Sequence, residues 1–173
     1  AYGPVIAGAS IRHVVTPEGG DFIEALERAI KNMTPKPIAV IVNYPGNPTA
    51  EVVDLAFYER LVKWAKENKV WILSDLAYSE LYFDGNPTPS ILQVPGAKDV
   101  AIEFTSMSKT YSMAGWRMAF LLGNPEVIAA LAKLKSYLDY GTFQPIQIAA
   151  TVTMNEAIDF PSEVNEIYQS RRD

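Results

Sequence analysis

The sequence predicts an α/β fold with a mostly parallel sheet flanked by helices. Two observations carry that reading. The apolar runs Ile38–Val42, Val70–Leu73 and Val100–Phe104 look like strands inside a sheet, the first β-branched throughout its Ile/Val positions. Between the first two lies a stretch of helical period long enough for a crossover connection. With 173 residues, of which 49% are hydrophobic, the chain can bury a substantial core.

In order, residues 1–15 read as a short helical or irregular start and then a strand around Ser10–Val15, with His13 half-exposed on it. Thr16–Gly20 is a loop. Asp21 can cap a helix, with Glu24 three residues on and Phe22, Ile23, Leu26, Ala29, Ile30 and Met33 at helical spacing. Thr34-Pro-Lys-Pro37 ends it. The strand Ile38–Val42 follows, read as covered on both faces, then the loop Asn43–Thr49. A helix from about Val53 to Asn68 carries the stripe Val53, Phe57, Leu61, Ala65, and Val70–Leu73 is the next strand. Asp84–Pro87 is a turn. Val100–Phe104 and Met118–Leu122 are strands only about a dozen residues apart, so the second is expected to run antiparallel. Asn124 caps a helix with Pro125 at its first position, running to about Tyr137. After the loop Asp139–Gln144, Pro145–Ile158 and Pro161–Arg172 read as two more helices.

Composition narrows the function classes. Without cysteine there are no disulfides or thiolate metal sites, and one histidine cannot form a histidine metal cluster. The net charge is −5 with no basic cluster, which argues against a nucleic-acid footprint. No apolar run approaches membrane-spanning length and no signal peptide is visible, so a cytoplasmic location with no membrane partner is the expectation. The chain starts at Ala1 without a methionine and stops at Asp173 within a helical pattern. It is therefore expected to be a piece of a longer protein.

Each buried run delivers polar groups to one edge of the sheet, where ligands of open α/β sheets sit. They are Asn47 after the first run, Asp75 and Tyr78 after the second, and Ser106, Ser108 and Lys109 after the third, with Arg117 eight residues on. A lysine at the end of a buried strand is poorly placed for a solvated charge. Desolvation disfavours its ammonium form, as a Schiff-base lysine requires. The two serines with the Arg117 guanidinium make a seat for a phosphate. An amine for an aldehyde beside a phosphate seat points to pyridoxal phosphate. With that cofactor, Asp75 keeps the ring nitrogen protonated, and Asn47 and Tyr78 donate to the phenolate oxygen. Lys109, freed by the substrate amine, carries the proton from Cα to the cofactor's C4′ carbon. Singly, each residue has an ordinary reading: a proline-rich turn, a helix cap, a core tyrosine, an ion-pair arginine. Their succession after separate strands favours the joint one.

On the motifs Asn47-Pro-Thr49, Asp75-Leu-Ala-Tyr78 and Ser106-Met-Ser-Lys109 with Arg117, the chain closely resembles the class I/II aminotransferases of pyridoxal-phosphate fold type I, over essentially its whole length. The resemblance implies Lys109 as the lysine joined to the cofactor and the catalytic residue. It implies Asp75 as the ring-nitrogen partner, Asn47 and Tyr78 as phenolate donors, and Ser106, Ser108 and Arg117 as phosphate ligands. Ala50 stands where the wider family usually has glycine. The wording Asn43-Tyr-Pro-Gly-Asn-Pro-Thr-Ala50 is similar to the alanine (glutamate–pyruvate) branch.

The implied reaction moves an amino group between an L-amino acid, alanine in that branch, and a 2-oxo acid such as 2-oxoglutarate. A homodimer is implied too, with active sites at its interface and Tyr140–Phe143 as a loop lent to the partner. Residues 1–158 then form the central part of the cofactor-binding large domain, incomplete at its N-terminal side. Residues 159–173 begin the helix linking to a C-terminal small domain. The family's phosphate-binding amides, its ring-stacking aromatic and its carboxylate-gripping arginine lie outside 1–173, so the piece alone is expected to be inactive. A lyase of the same fold and cofactor, or an aminotransferase-like effector domain of a transcription regulator, shares these motifs.

Overall fold

The structure, a computed structural model, describes residues 2–17 and 19–173. The chain divides into two compact units, residues 1–37 and 38–173. In the first, α1 spans Tyr2–Ile6 and α2 spans Phe22–Lys31. The α2 cap is the predicted one: the Asp21 carboxylate accepts the Glu24 backbone N–H at 2.9 Å. The strand expected around Ser10–Val15 does not form; the segment is irregular and His13 is exposed. An extended segment becomes a strand only where another strand takes its N–H and C=O groups. The sheet's four strands all lie in the second unit.

The second unit opens with β1 (Ala39–Asn43), α3 (Leu55–Asn68) and β2 (Trp71–Asp75). Short 3₁₀ turns at Ile91–Gln93 and Ala97–Asp99 lead into β3 (Ala101–Ser106), and the one-turn α4 (Met107–Thr110) precedes β4 (Ala119–Gly123). The helices α5 (Pro125–Leu138), α6 (Gln144–Glu156) and α7 (Phe160–Arg172) complete it. The strands lie in the order β1-β2-β3-β4, the first three parallel and β4 antiparallel to β3 as the short connection predicts. Asn124 caps α5 as expected: its Oδ1 accepts from Glu126 and Val127, while its Nδ2 donates to the Lys98 carbonyl.

One face of this sheet is well covered. Val40, Val42, Ile72, Ser74, Ala101 and Glu103 alternate onto it and are buried, under Tyr58, Leu61, Val62 and Ala65 of α3 and under Ile91. The helix begins only after the Asp54 cap, whose carboxylate accepts the Phe57 N–H. That start leaves Val53 outside α3 and adds Tyr58 and Val62 to the buried side. The expectation that Ile38–Val42 is covered on both faces does not hold in this chain, since Ile38 is 76% and Ile41 54% exposed.

The covered face is not purely apolar. Glu103, 3% exposed, accepts the Ser90 hydroxyl at 2.7 Å and the Ile91 N–H at 3.0 Å, fastening the loop before β3 to the sheet. Its neighbours Ser74 and Tyr58 have hydroxyls that are buried and without a hydrogen-bond partner among the described residues. Burial pushes the Tyr58 phenol up to about 12. Burial likewise raises the Glu103 carboxyl above its ordinary range, against the lowering effect of its two donors.

The folded protein therefore holds the Glu103 proton more tightly than the unfolded chain does. The resulting stabilisation is complete below the ordinary glutamate range and is lost as pH rises through the raised value. Glu103→Gln keeps an acceptor for Ile91 and cannot ionise. Its urea midpoint should vary less with pH across that window than the parent's. Glu103→Ala, which orphans the Ile91 N–H, should cost about 1–3 kcal/mol.

Candidate active site

The parallel register sets Asn43 beside Asp75 and Asp75 beside Phe104, so the carboxyl ends of β1, β2 and β3 share one edge. Asn43 ties the first two ends together. Its Nδ2 donates to the Asp75 carbonyl at 3.1 Å, and its Oδ1 accepts the Asn47 backbone N–H at 3.0 Å. The loop so held turns Asn47 toward the turn after β2, where its Nδ2 donates to the Tyr78 hydroxyl at 3.1 Å. The Lys109 ammonium lies 5.5 Å from the centroid of the Tyr78 ring, within cation–π range. Residues from three strand ends thus meet: Asn47 with Tyr78, and Tyr78 with Lys109.

Asp75, half-buried at the end of β2, accepts the Ala77 N–H at 3.2 Å and so starts the turn that carries Tyr78. Ser106 closes β3 and caps α4, its hydroxyl accepting the Ser108 N–H at 3.1 Å. Below that turn, Met107 and Met113 pack with Ala150 of α6, with Tyr111, Met118 and Phe120 around them. This footing fixes the turn that presents Lys109.

One expectation changes in detail. Lys109 is exposed in this chain rather than desolvated at a strand end. The strand stops at Ser106 and one helical turn intervenes, burying Met107 and Thr110 and sending Lys109 outward. Arg117 is exposed, has left-handed backbone (φ 56°), and donates to its own turn, Nη1 to the Ala114 carbonyl at 2.9 Å.

The residue that sequence reasoning passed over is Asn43. Its signal was an amide at the last position of a strand, four residues before another asparagine, with a donor and an acceptor to bridge two segments. Ala50 also gains a physical account. It sits at φ 56°, donating its N–H to the Gly46 carbonyl at 2.8 Å, in a conformation that glycine enters without cost and alanine does not.

The donor set fits pyridoxal phosphate chemically. Asn47 and Tyr78 present their polar atoms side by side, as two donors to one oxygen would, and a primary amine stands over the same tyrosine. A carboxylate is carried at the adjoining strand end.

A mostly parallel sheet flanked by helices, with this edge, is the fold of the fold type I aminotransferases among its structural neighbours. A structure of an aminotransferase from Staphylococcus aureus superposes with a TM-score of 0.89 at 30% identity, over 99% of this chain and 45% of that one. The family described as aminotransferase class I and II matches residues 6–173, and the chain belongs to it. Members of that family use pyridoxal phosphate. Among curated relatives, the glutamate-pyruvate aminotransferase AlaC of Escherichia coli (strain K12) is 49% identical over 99% of this chain and 42% of its own length. An LL-diaminopimelate aminotransferase of Nitratidesulfovibrio vulgaris (strain DP4) is 45% identical over 96% of this chain and 43% of its own. The chain spans less than half the length of the relatives it matches.

Proposed function

We propose that the intact protein transfers an amino group between an L-amino acid, alanine first among candidates, and a 2-oxo acid such as 2-oxoglutarate. The observation that carries this is the Asn47–Tyr78–Lys109 grouping, with the amide on the phenol at 3.1 Å and the amine over the phenol ring at 5.5 Å. When bound, pyridoxal phosphate supplies an electron sink for the pair left at Cα. Lys109 holds it covalently and then moves the Cα proton. Asp75 keeps the ring nitrogen protonated. Asn47 and Tyr78 orient the phenolate oxygen, and Ser106, Ser108 and Arg117 bind the phosphate. The likeness to AlaC supports alanine, whereas the similar likeness to an LL-diaminopimelate enzyme keeps the longer substrate as the competing outcome.

The intact protein is proposed to be a cytoplasmic homodimer. Tyr137, Leu138, Tyr140 and Phe143 are each at least 70% exposed at the end of α5 and in the loop after it. Large apolar side chains so placed favour cover by a second subunit, to which the Tyr140–Phe143 loop would extend. Residues 1–158 are then the central part of the cofactor-binding domain, and 159–173 begin its link to a small domain.

The test is an amino-transfer assay on the intact protein with alanine, LL-diaminopimelate and 2-oxoglutarate. Glutamate formed from alanine several-fold faster than from the diacid is the expected result. Release of ammonia and pyruvate from β-substituted amino acids, without transfer, would instead make it a lyase.

A further inference from the structure

Resting on that reading of Lys109 and Tyr78, we infer that α7 is a strut that sets the spacing between them. It ties the Lys109 segment at one end to the Tyr78 loop at the other.

The N-terminal tie is aromatic. Phe160, the first residue of α7, stacks on Tyr111 with ring centroids 6.2 Å apart and planes 13° from parallel. Tyr111 follows Lys109 by two residues and returns its N–H to the Met107 carbonyl at 3.1 Å. The C-terminal tie is polar and uses one face of the helix, since Asn165, Gln169 and Arg172 follow one another at spacings of four and three. Asn165 Nδ2 donates to the Glu80 carbonyl at 2.6 Å, and Gln169 Oε1 accepts the Asp84 N–H at 3.1 Å. The Arg172 guanidinium forks onto both Asp84 oxygens at 2.7 and 2.9 Å and lies 5.1 Å from the Phe83 ring centroid. A planar two-pronged bond with a ring beneath it fixes orientation as well as distance.

The loop held in this way begins at the site. Leu81 donates its N–H to the Tyr78 carbonyl at 3.0 Å, so Tyr78 and Glu80 belong to one tight turn. Asp84 has left-handed backbone, φ 58°, which the contacts from Gln169 and Arg172 help to hold. Thirteen helical residues span about 20 Å. Through a rigid helix, each tie restrains the other. The carboxylate of Asp84 is held below its usual range chiefly by the Arg172 bond, in line with this geometry. Among the described residues, none of these side chains makes a hydrogen bond, ion pair or ring contact with Asn47, Tyr78 or Lys109, so they are positioning residues.

The experiment uses the intact protein and three variants. Arg172→Gln removes the fork, Asp84→Asn removes the charge while keeping a residue that tolerates positive φ, and Phe160→Ala removes the stacking. Amide exchange is read first, without cofactor. Each variant should speed exchange by about tenfold at both ends, residues 80–84 and 107–111, whichever end was altered. With pyridoxal phosphate bound, each should weaken cofactor affinity by about 3-fold to 10-fold. The same variants should move the pH midpoint of the lysine-bound cofactor's absorbance. The Arg172→Gln, Asp84→Asn double variant should be no worse than Arg172→Gln alone, and Arg172→Lys should restore part of the loss.

Faster exchange confined to the altered end, or an unmoved absorbance midpoint, overturns the strut. Borohydride reduction separates this from the underlying reading. Label on Lys109 with confined exchange sinks the strut alone, and label on another lysine sinks the site assignment and the strut's purpose together.

Discussion

Lys109→Ala in the intact protein should abolish covalent attachment of pyridoxal phosphate and lower amino transfer by about 10⁴-fold or more. On the proposed assignment it removes both the group that holds the cofactor and the group that moves the Cα proton. Added cofactor should give no absorbance band of a lysine-bound form, and borohydride should fix no label in the peptide around residue 109. Lys109→Arg should fail equally, because a guanidinium keeps the charge but is neither a nucleophile nor a base near neutral pH. Thermal stability should stay close to the parent's. Lys109 is exposed, and its turn is anchored by Met107 and Met113 rather than by the lysine. A variant that still incorporates label after reduction would show that another lysine carries the cofactor.

Asp75→Asn should lower kcat by about 10²–10³-fold while leaving the fold intact. An amide cannot stabilise a proton on a pyridine nitrogen as a carboxylate does, so the electron sink weakens although the cofactor still fits. The backbone role of the side chain survives, because the asparagine oxygen can still accept the Ala77 N–H now bonded at 3.2 Å. Binding and turnover should therefore separate: the lysine-bound absorbance remains, cofactor affinity changes little, and the chemical step slows. Loss of binding and turnover in equal measure would assign Asp75 a structural role, as the cap of the Tyr78 turn. Full activity would remove it from the site.

Much of the architecture was legible because its signals are local. Buried strands announce themselves by unbroken apolar runs, and Asp21, Asn124 and Pro125 mark helix starts by chemistry acting within three residues. The short link from β3 to β4 likewise required a reversal. The failures concern contacts made at a distance. Ser10–Val15 has strand composition, yet a strand exists only where another backbone pairs with it. Ile41 has core composition, yet its exposure depends on what lies over it.

For the site, the sequence by itself determined the inventory: an amide, an acid, a phenol, two hydroxyls, an amine and a guanidinium, each following an apolar run. Residue type and spacing are properties of the chain, and the chemistry of each group travels with it. Only the tertiary structure decided which of them meet. Parallel register made Asn43 the bracket between two strand ends, and one helical turn, rather than the strand, presented Lys109 to Tyr78. The reaches to Asp84 from 85 and 88 residues away put α7 beside the same loop. Hydrogen bonds between distant segments depend on how the backbone is folded back, and no local pattern along the chain encodes that.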